Sequence, residues 1–269
     1  RHTRFRNVTG VQTCALPILV DAARWGEPCE PVRDLIDTDD LAAAYRVQAL
    51  VSRYREENGH RVVGHKVGLS SAPRLHLVGD STSGIGTLFD DMAYGDREPI
   101  SLDSLLQPRV GVGVAFVLGR DLDLERPTVA DVIRATDFVL PAIEIVDSRI
   151  FGWDVTPAEA VADNASSGAF VLGSIPRPLA GVDLVGATTV LTEVGRDGDL
   201  AGAIAGNPIV AVTSLARALA ARGVALRAGD VVLSGAVGQA VPVTGPGAFH
   251  ARIAGLGELT ATFVEREAA

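Results

Sequence analysis

Apolar positions along the chain recur with two periods, and the clearest two-residue period lies at 109–118. There Val110, Val112, Val114, Phe116 and Leu118 fall two apart, which in an extended chain sets them on one face of a sheet. The other face carries Arg109, Gly111, Gly113, Ala115 and Val117. Glycine inside a strand gives up packing, so this pair marks a close approach, either of a neighbouring backbone or of a ligand to the main chain. A helical stripe of Leu41, Ala44, Tyr45, Val47, Leu50, Val51 and Tyr54 starts from an N-cap candidate at Thr38 and stops around Asn58-Gly59. Shorter helices are expected at 128–136, after Thr156 with Pro157 in the first turn, and at 207–222, closed by Gly223. Within 61–71 a short strand is expected to run into a Gly- and Ser-rich turn, further strands are expected at 138–147, 169–173, 187–195, 228–236, 241–243, 249–253 and 259–264, and 83–92 reads as a Gly-rich loop leading to paired acids. That count favours a β-rich α+β domain with flanking helices over strict βαβ alternation.

Two polar residues stand out against this pattern. Glu144 is embedded among Ile143, Ile145 and Val146, where a carboxylate is expensive unless paired or metal-bound. It is therefore a functional candidate, with Arg149 as the partner in a purely structural reading. Lys66 is the second. The chain holds 23 Arg and this single Lys, so a surviving ammonium suggests chemistry that a guanidinium, which keeps its proton, does not perform. Lys66 lies near a strand end, where a rigid scaffold presents working residues. His65 alternates to the opposite face and is expected to be a structural hydrogen-bonder. Asp90 and Asp91 are either solvated loop acids or part of the same site as Lys66. The loop before them lacks the strand–glycine–helix context of a nucleotide site.

Composition narrows the partners. A formal charge of −9 argues against a polyanion, and 47 % hydrophobic with 21 % charged residues is ordinary for a globular chain. No stretch approaches the ~20 uncharged apolar residues of a membrane span. Two cysteines are too few for a disulfide scaffold and fit a reducing cytoplasm. Residues 1–18 hold three Arg and no acid and look like a translated sequencing adapter, so they are set aside as an artefactual leader. That leaves 19–60 as a truncated N-terminal helical segment and 61–269 as the main domain.

Six blocks occur in order: Gly64-His-Lys-Val-Gly-Leu-Ser-Ser71, Gly86-Thr-Leu-Phe-Asp-Asp-Met92, Val110–Leu118, Leu140-Pro-Ala-Ile-Glu-Ile-Val-Asp-Ser-Arg149, Ala162-Asp-Asn-Ala-Ser166 and Ala228-Gly-Asp-Val-Val-Leu-Ser-Gly235. Together they resemble the 2-keto-4-pentenoate hydratase family, within the fumarylacetoacetate hydrolase-like superfamily. The resemblance implies that superfamily's mixed-β fold over 61–269 and a cytoplasmic homo-oligomer of aromatic meta-cleavage catabolism. It implies Mg²⁺ or Mn²⁺ and a small-molecule substrate, a 2-hydroxy-2,4-dienoate hydrated to a 4-hydroxy-2-oxo acid. It also implies Lys66 and Asp91 as the proton-handling pair, Leu88, Ser166 and Ser234 as substrate-binding residues, and Glu144 as a metal ligand. The chain departs from the family at 109–118, where Gly111 and Gly113 stand in place of two ligand carboxylates. Asp147, Asp90 or Asp91 are then the acids left to help Glu144 hold an ion. A catalytically impaired scaffold subunit and a 2-oxo-3-enedioate decarboxylase are the other readings.

Overall fold

The structure, a computed structural model, describes residues 10–68, 84–196, 198–204 and 206–265. It opens with α1 (Gly10–Trp25) and α2 (Leu41–Glu57). The α2 cap is Asp40, whose carboxylate accepts the Ala43 amide at 2.8 Å, two residues beyond the expected Thr38. Residues 10–18, set aside in the sequence reading, form the first half of α1. Ala15, Leu16, Leu19 and Ala22 recur at helical spacing and are buried, and Ala15 and Leu19 pack in one cluster with Val47, Ile150 and Val161. The N-terminal helices thus share a core with the rest of the chain. No helix among the described residues is long and apolar enough to cross a membrane.

The strands are β1 (Val62–Val67), β2 (Ile85–Phe89), β3 (Ala93–Gly95), β4 (Pro99–Ser101), β5 (Arg109–Leu118), β6 (Thr136–Val146) and β7 (Ser167–Leu172). After them come β8 (Thr188–Glu193), β9 (Asp199–Ala203), β10 (Val231–Leu233), β11 (Val237–Pro242), β12 (Gly247–Ile253) and β13 (Gly257–Val264). Three further helices are interposed, α3 (Val129–Ala135), α4 (Pro157–Ala162) and α5 (Pro208–Ala220). Capping boxes start α3 (Thr128 with Asp131) and α4 (Thr156 with Glu159), each cap contributing about 1 kcal/mol.

Among the described residues the strands form two sheets. The larger runs β2-β1-β10-β5-β6-β7-β3, with β11 pairing the first half of β5 where β10 pairs the second; the smaller runs β4-β13-β12-β8-β9. Val110, Val112, Val114 and Phe116 of β5, with Ile143 and Ile145 of β6, meet Phe249, Ala251 and Phe263 of the smaller sheet in the main core. The Phe249 and Phe263 rings pack edge to face at 6.0 Å. The apolar face expected for 109–118 is therefore the inter-sheet face, and the glycine face looks the other way.

Ile85–Phe89, read from sequence as loop, is a fully buried strand beside β1. Gly86, opposite Lys66, explains both readings. A Cβ there would run into Ser167 Oγ and lie 2.7 Å from the Asn164 carbonyl. The sheet curls until β2 meets the turn before β7. There Asn164 Oδ1 accepts the Thr87 amide at 2.7 Å, and its Nδ2 donates to the Thr87 carbonyl at 2.8 Å. One side-chain amide closes the curl. Gly86→Ala is expected to lower stability by about 1–3 kcal/mol through overpacking, whereas Gly245→Ala, in open space, leaves it unchanged. Urea unfolding of both variants checks this, and equal midpoints would remove the close approach at Gly86.

Candidate active site

Lys66 lies in β1 between Gly86 of β2 and Leu233 of β10. Glu144 lies in β6 between Gly111 of β5 and Phe170 of β7. Residues paired across a ladder share a face, so Lys66, Leu88, Leu233, Ala115, Ala142, Glu144 and Phe170 line the same side of the large sheet. In a flat sheet β1 and β6 would stand three strand spacings apart, about 14 Å. The curl brings them together, and Lys66 Nζ donates to Glu144 Oε1. Both residues are sealed, Lys66 being 1 % and Glu144 2 % exposed. Glu144 Oε2 is buried without a hydrogen-bond partner among the described residues. An unmet acceptor beside a buried ammonium is costly to keep, and such sites are where chemistry is expected.

Arg149, the structural partner expected for Glu144, is committed elsewhere. Its Nε donates to Asp163 Oδ1, its amide to Asp163 Oδ2 at 3.1 Å, and its Nη1 to the Ser167 carbonyl at 2.8 Å. Burial pushes the Asp163 carboxyl above its usual range, with Arg149 pulling the other way. This clasp holds a turn in which Asn164, Ala165 and Ser166 have φ of 53°, 52° and 51°. Three successive left-handed residues without a glycine are strained. Ser166 Oγ lies 3.5 Å from Asp163 Oδ2, and the Ser166 carbonyl accepts the Asp147 amide at 2.8 Å. The structural roles of Asn164 and of the Arg149–Asp163 clasp were not read from the sequence; only contacts between separate segments reveal them.

The other candidates divide. Leu88 joins Phe89, Met92, Phe170 and Leu233 in an apolar cluster on the Lys66 face. Ser234 donates its amide to the Val114 carbonyl at 2.9 Å and leads into Gly235 and Ala236, which cover the bare face of β5. A Cβ on Gly111 would sit 2.6 Å from Ala236 Cβ, and one on Gly113 2.9 Å from the Gly235 carbonyl. Of the two approaches the glycine pair allowed, that of a neighbouring backbone is the one observed. Asp91 is not brought to Lys66, which corrects the pairing expected from the resemblance. It follows Phe89, the partner of Val62 at the opposite end of β1, and both its oxygens accept Arg55 Nη2 at 2.6 Å. Asp90 accepts the Arg61 amide at 3.0 Å, which with other backbone donors holds its carboxyl below the usual range. His60, Asp90 and Asp91 form a surface group of metal-capable side chains, in which Arg55 holds the Asp91 carboxylate. Asp147 likewise faces away from Glu144, accepting the amides of Leu106 at 3.0 Å and Gln107 at 2.6 Å. The Gly- and Ser-rich turn at 69–71 lies outside the described residues.

His65 points to the opposite side of β1, as alternation requires, and borders a groove of about 1070 Å³ with Tyr45, Gln48, Thr87, Arg217 and Arg222. Burial pushes its imidazole down to about 4, so it is neutral. Neither Lys66 nor Glu144 lines that groove.

The geometry can be set beside known proteins. No family model matches the chain. The "TodF product hydratase" of Pseudomonas putida is 46 % identical over 259 residues, covering 96 % of this chain and 97 % of that protein. The 2-keto-4-pentenoate hydratase of Burkholderia vietnamiensis is 44 % identical over 92 % of this chain and 95 % of its own. Among solved structures, the 4-oxalocrotonate decarboxylase of Pseudomonas putida, complexed with magnesium and adipate, superposes with a TM-score of 0.86 at 31 % identity, over 97 % of this chain and 100 % of that one. The fumarylacetoacetate hydrolase of Exiguobacterium antarcticum shares the fold, with a TM-score of 0.58 at 16 % identity over 77 % of this chain and 76 % of that one. The two-sheet architecture, the buried Lys66–Glu144 pair and near-full-length identity above two fifths place the chain in the 2-keto-4-pentenoate hydratase family, on the fumarylacetoacetate hydrolase-like fold.

Proposed function

We propose that the protein is a hydratase that adds water to a 2-hydroxy-2,4-dienoate and releases a 4-hydroxy-2-oxo acid, in the meta-cleavage breakdown of aromatic compounds. The observation that carries this is the Lys66–Glu144 pair, a cation and a carboxylate with one oxygen unpartnered among the described residues, on a buried, largely apolar sheet face. The chemistry balances in two stages. The dienol gives up its 2-hydroxyl proton and takes one at C5, becoming a 2-oxo-3-enoate; water then places its hydroxyl on C4 and its proton on C3. Each stage moves negative charge onto the 2-oxygen. Lys66 Nζ donates to that oxygen and to the neighbouring carboxylate, holding the charge where it develops. Glu144 Oε2 relays the proton from the 2-hydroxyl and later orients the water. Leu88, Leu140 and Phe170 give the carbon chain an apolar wall. Ser166 and Ser234 are proposed as substrate contacts on the strength of the family resemblance. A cytoplasmic homo-oligomer is the proposed setting, on family grounds.

The family resemblance also brings Mg²⁺ or Mn²⁺. Such ions take about six oxygen ligands at roughly 2.0–2.2 Å and need carboxylate charge to offset their dehydration. Among the described residues this face offers one carboxylate, and one of its oxygens is already held by an ammonium. The donor set does not fit a divalent ion, and no step above uses one.

Incubation with 2-hydroxypenta-2,4-dienoate tests the proposal: the diene absorbance should fall and the product should gain the mass of one water. Shape favours a second reading, decarboxylation of a 2-oxo-3-enedioate, because the decarboxylase superposes over nearly the whole chain. Carbon dioxide release from that diacid, with no turnover of the dienoate, would replace the hydratase reading. Turnover of neither would leave the scaffold subunit.

A further inference from the structure

We infer that this chain uses a protein cation where a metal ion would otherwise sit: Lys66 Nζ takes the electropositive position against Glu144, and no divalent ion binds between β5 and β6. The inference rests on the hydratase reading for its substrate, and on the donor set alone for its metal arm.

Three observations support it independently. The first is the supply of ligands. Among the described residues, Glu144 Oε2 is the one buried carboxylate oxygen without a hydrogen-bond partner. Asp147 is held by the Leu106 and Gln107 amides, Asp163 by Arg149, and Glu159 by Arg33 and its own capping box. The second is space. Gly111 is the register partner of Glu144 and Gly113 that of Ala142, so their face is where further ligands would have to project. That ground is taken by Ala236 Cβ and the Gly235 carbonyl, both closer to an added Cβ than real contacts allow. The third is charge. Lys66 and Glu144 form a neutral pair at 1 % and 2 % exposure. A doubly charged ion would have to displace the ammonium or sit beside it, and either leaves a buried charge without a counter-charge. An ammonium supplies hydrogen-bond donors and positive charge to a substrate carboxylate and 2-oxygen with no dehydration of a metal.

The test uses the purified full chain, stripped with EDTA and titrated with MnCl₂, free Mn²⁺ being read from its electron paramagnetic resonance signal. No Glu144-dependent uptake is expected up to about 1 mM, a range in which a working carboxylate site would fill. Turnover of 2-hydroxypenta-2,4-dienoate in EDTA is expected to match that in added Mn²⁺. Uptake of one Mn²⁺ per chain that vanishes in Glu144→Gln overturns the inference, as does turnover that needs added metal. Uptake that persists in Glu144→Gln and vanishes in Asp90→Asn belongs to the His60–Asp90–Asp91 surface group, and leaves the Glu144 face metal-free as inferred. Combining Gly111→Glu and Gly113→Glu with Ala236→Gly supplies two carboxylates and clears the methyl in their way, and is expected to create Mn²⁺ uptake. A folded triple variant without uptake overturns the argument that ligand supply and space keep the ion out. Absence of dienoate turnover in both conditions sinks the hydratase reading, while the Mn²⁺ titration still decides the metal question.

Discussion

Lys66→Met should abolish turnover and also weaken the fold, and the two effects should separate on a second substitution. Methionine has nearly the volume of the lysine stem, so little packing is lost. What is lost is the hydrogen-bond partner that Glu144 has among the described residues, leaving an unpaired carboxylate on a buried face. Breaking a buried pair from one side costs about 3–5 kcal/mol, whereas replacing both members with apolar groups is close to neutral. Lys66→Met alone should therefore lower the urea midpoint strongly, and Lys66→Met with Glu144→Leu should recover most of the loss. Turnover should stay absent in both, because losing a donor to the developing oxyanion costs on the order of 10²–10³ in rate. A double-mutant cycle on unfolding free energy isolates the coupling. If the two substitutions simply add in stability, Lys66 and Glu144 do not face each other in the folded protein.

Much of this site was legible in the sequence because its signals are local. Lys66 stands out as a lone lysine among many arginines, and Glu144 as an acid inside an apolar run. The period of two across 109–118 assigned both faces of β5 correctly, since alternation needs no knowledge of neighbours. What remained hidden depends on segments far apart in the chain. Lys66 meets Glu144 only because the large sheet curls, and the curl is closed by Asn164 bonding Thr87, 77 residues away. Strand β2 was missed because Gly84 and Gly86 read as loop; their lack of side chains is what lets the 164–167 turn pack against the strand. Asp91 was misplaced for the opposite reason. It stands close to Leu88 in sequence, yet the strand runs away from Lys66 toward Val62, where Arg55 takes the carboxylate. Arg149 was assigned to Glu144, five residues away on the same segment, and the fold gives it to Asp163.

That clasp sets the second large effect. Arg149→Met should destabilise the protein by about 3–5 kcal/mol at neutral pH, and the loss should shrink in acid. Burial raises the Asp163 carboxyl above its ordinary range, and the Arg149 guanidinium is the main influence holding it down. Without Arg149 the folded-state pKa moves further up. A carboxyl whose folded pKa exceeds its unfolded one contributes full stability below the unfolded value and loses it as pH rises through the folded value. The gap in melting temperature between parent and Arg149→Met should thus widen from about pH 5 to about pH 8, and adding Asp163→Asn should flatten it. An equal gap at both pH values would mean that Asp163 is not the group left exposed to burial. The same substitution reaches the active site by a defined route. Asp163 anchors the strained Asn164–Ser166 turn, Asn164 holds Thr87, and Thr87 follows the Gly86 that pairs with Lys66. Turnover of Arg149→Met should consequently fall even at acid pH, where the fold is intact, because the turn that closes β2 against β7 loses its guanidinium while Lys66 and Glu144 themselves are unchanged.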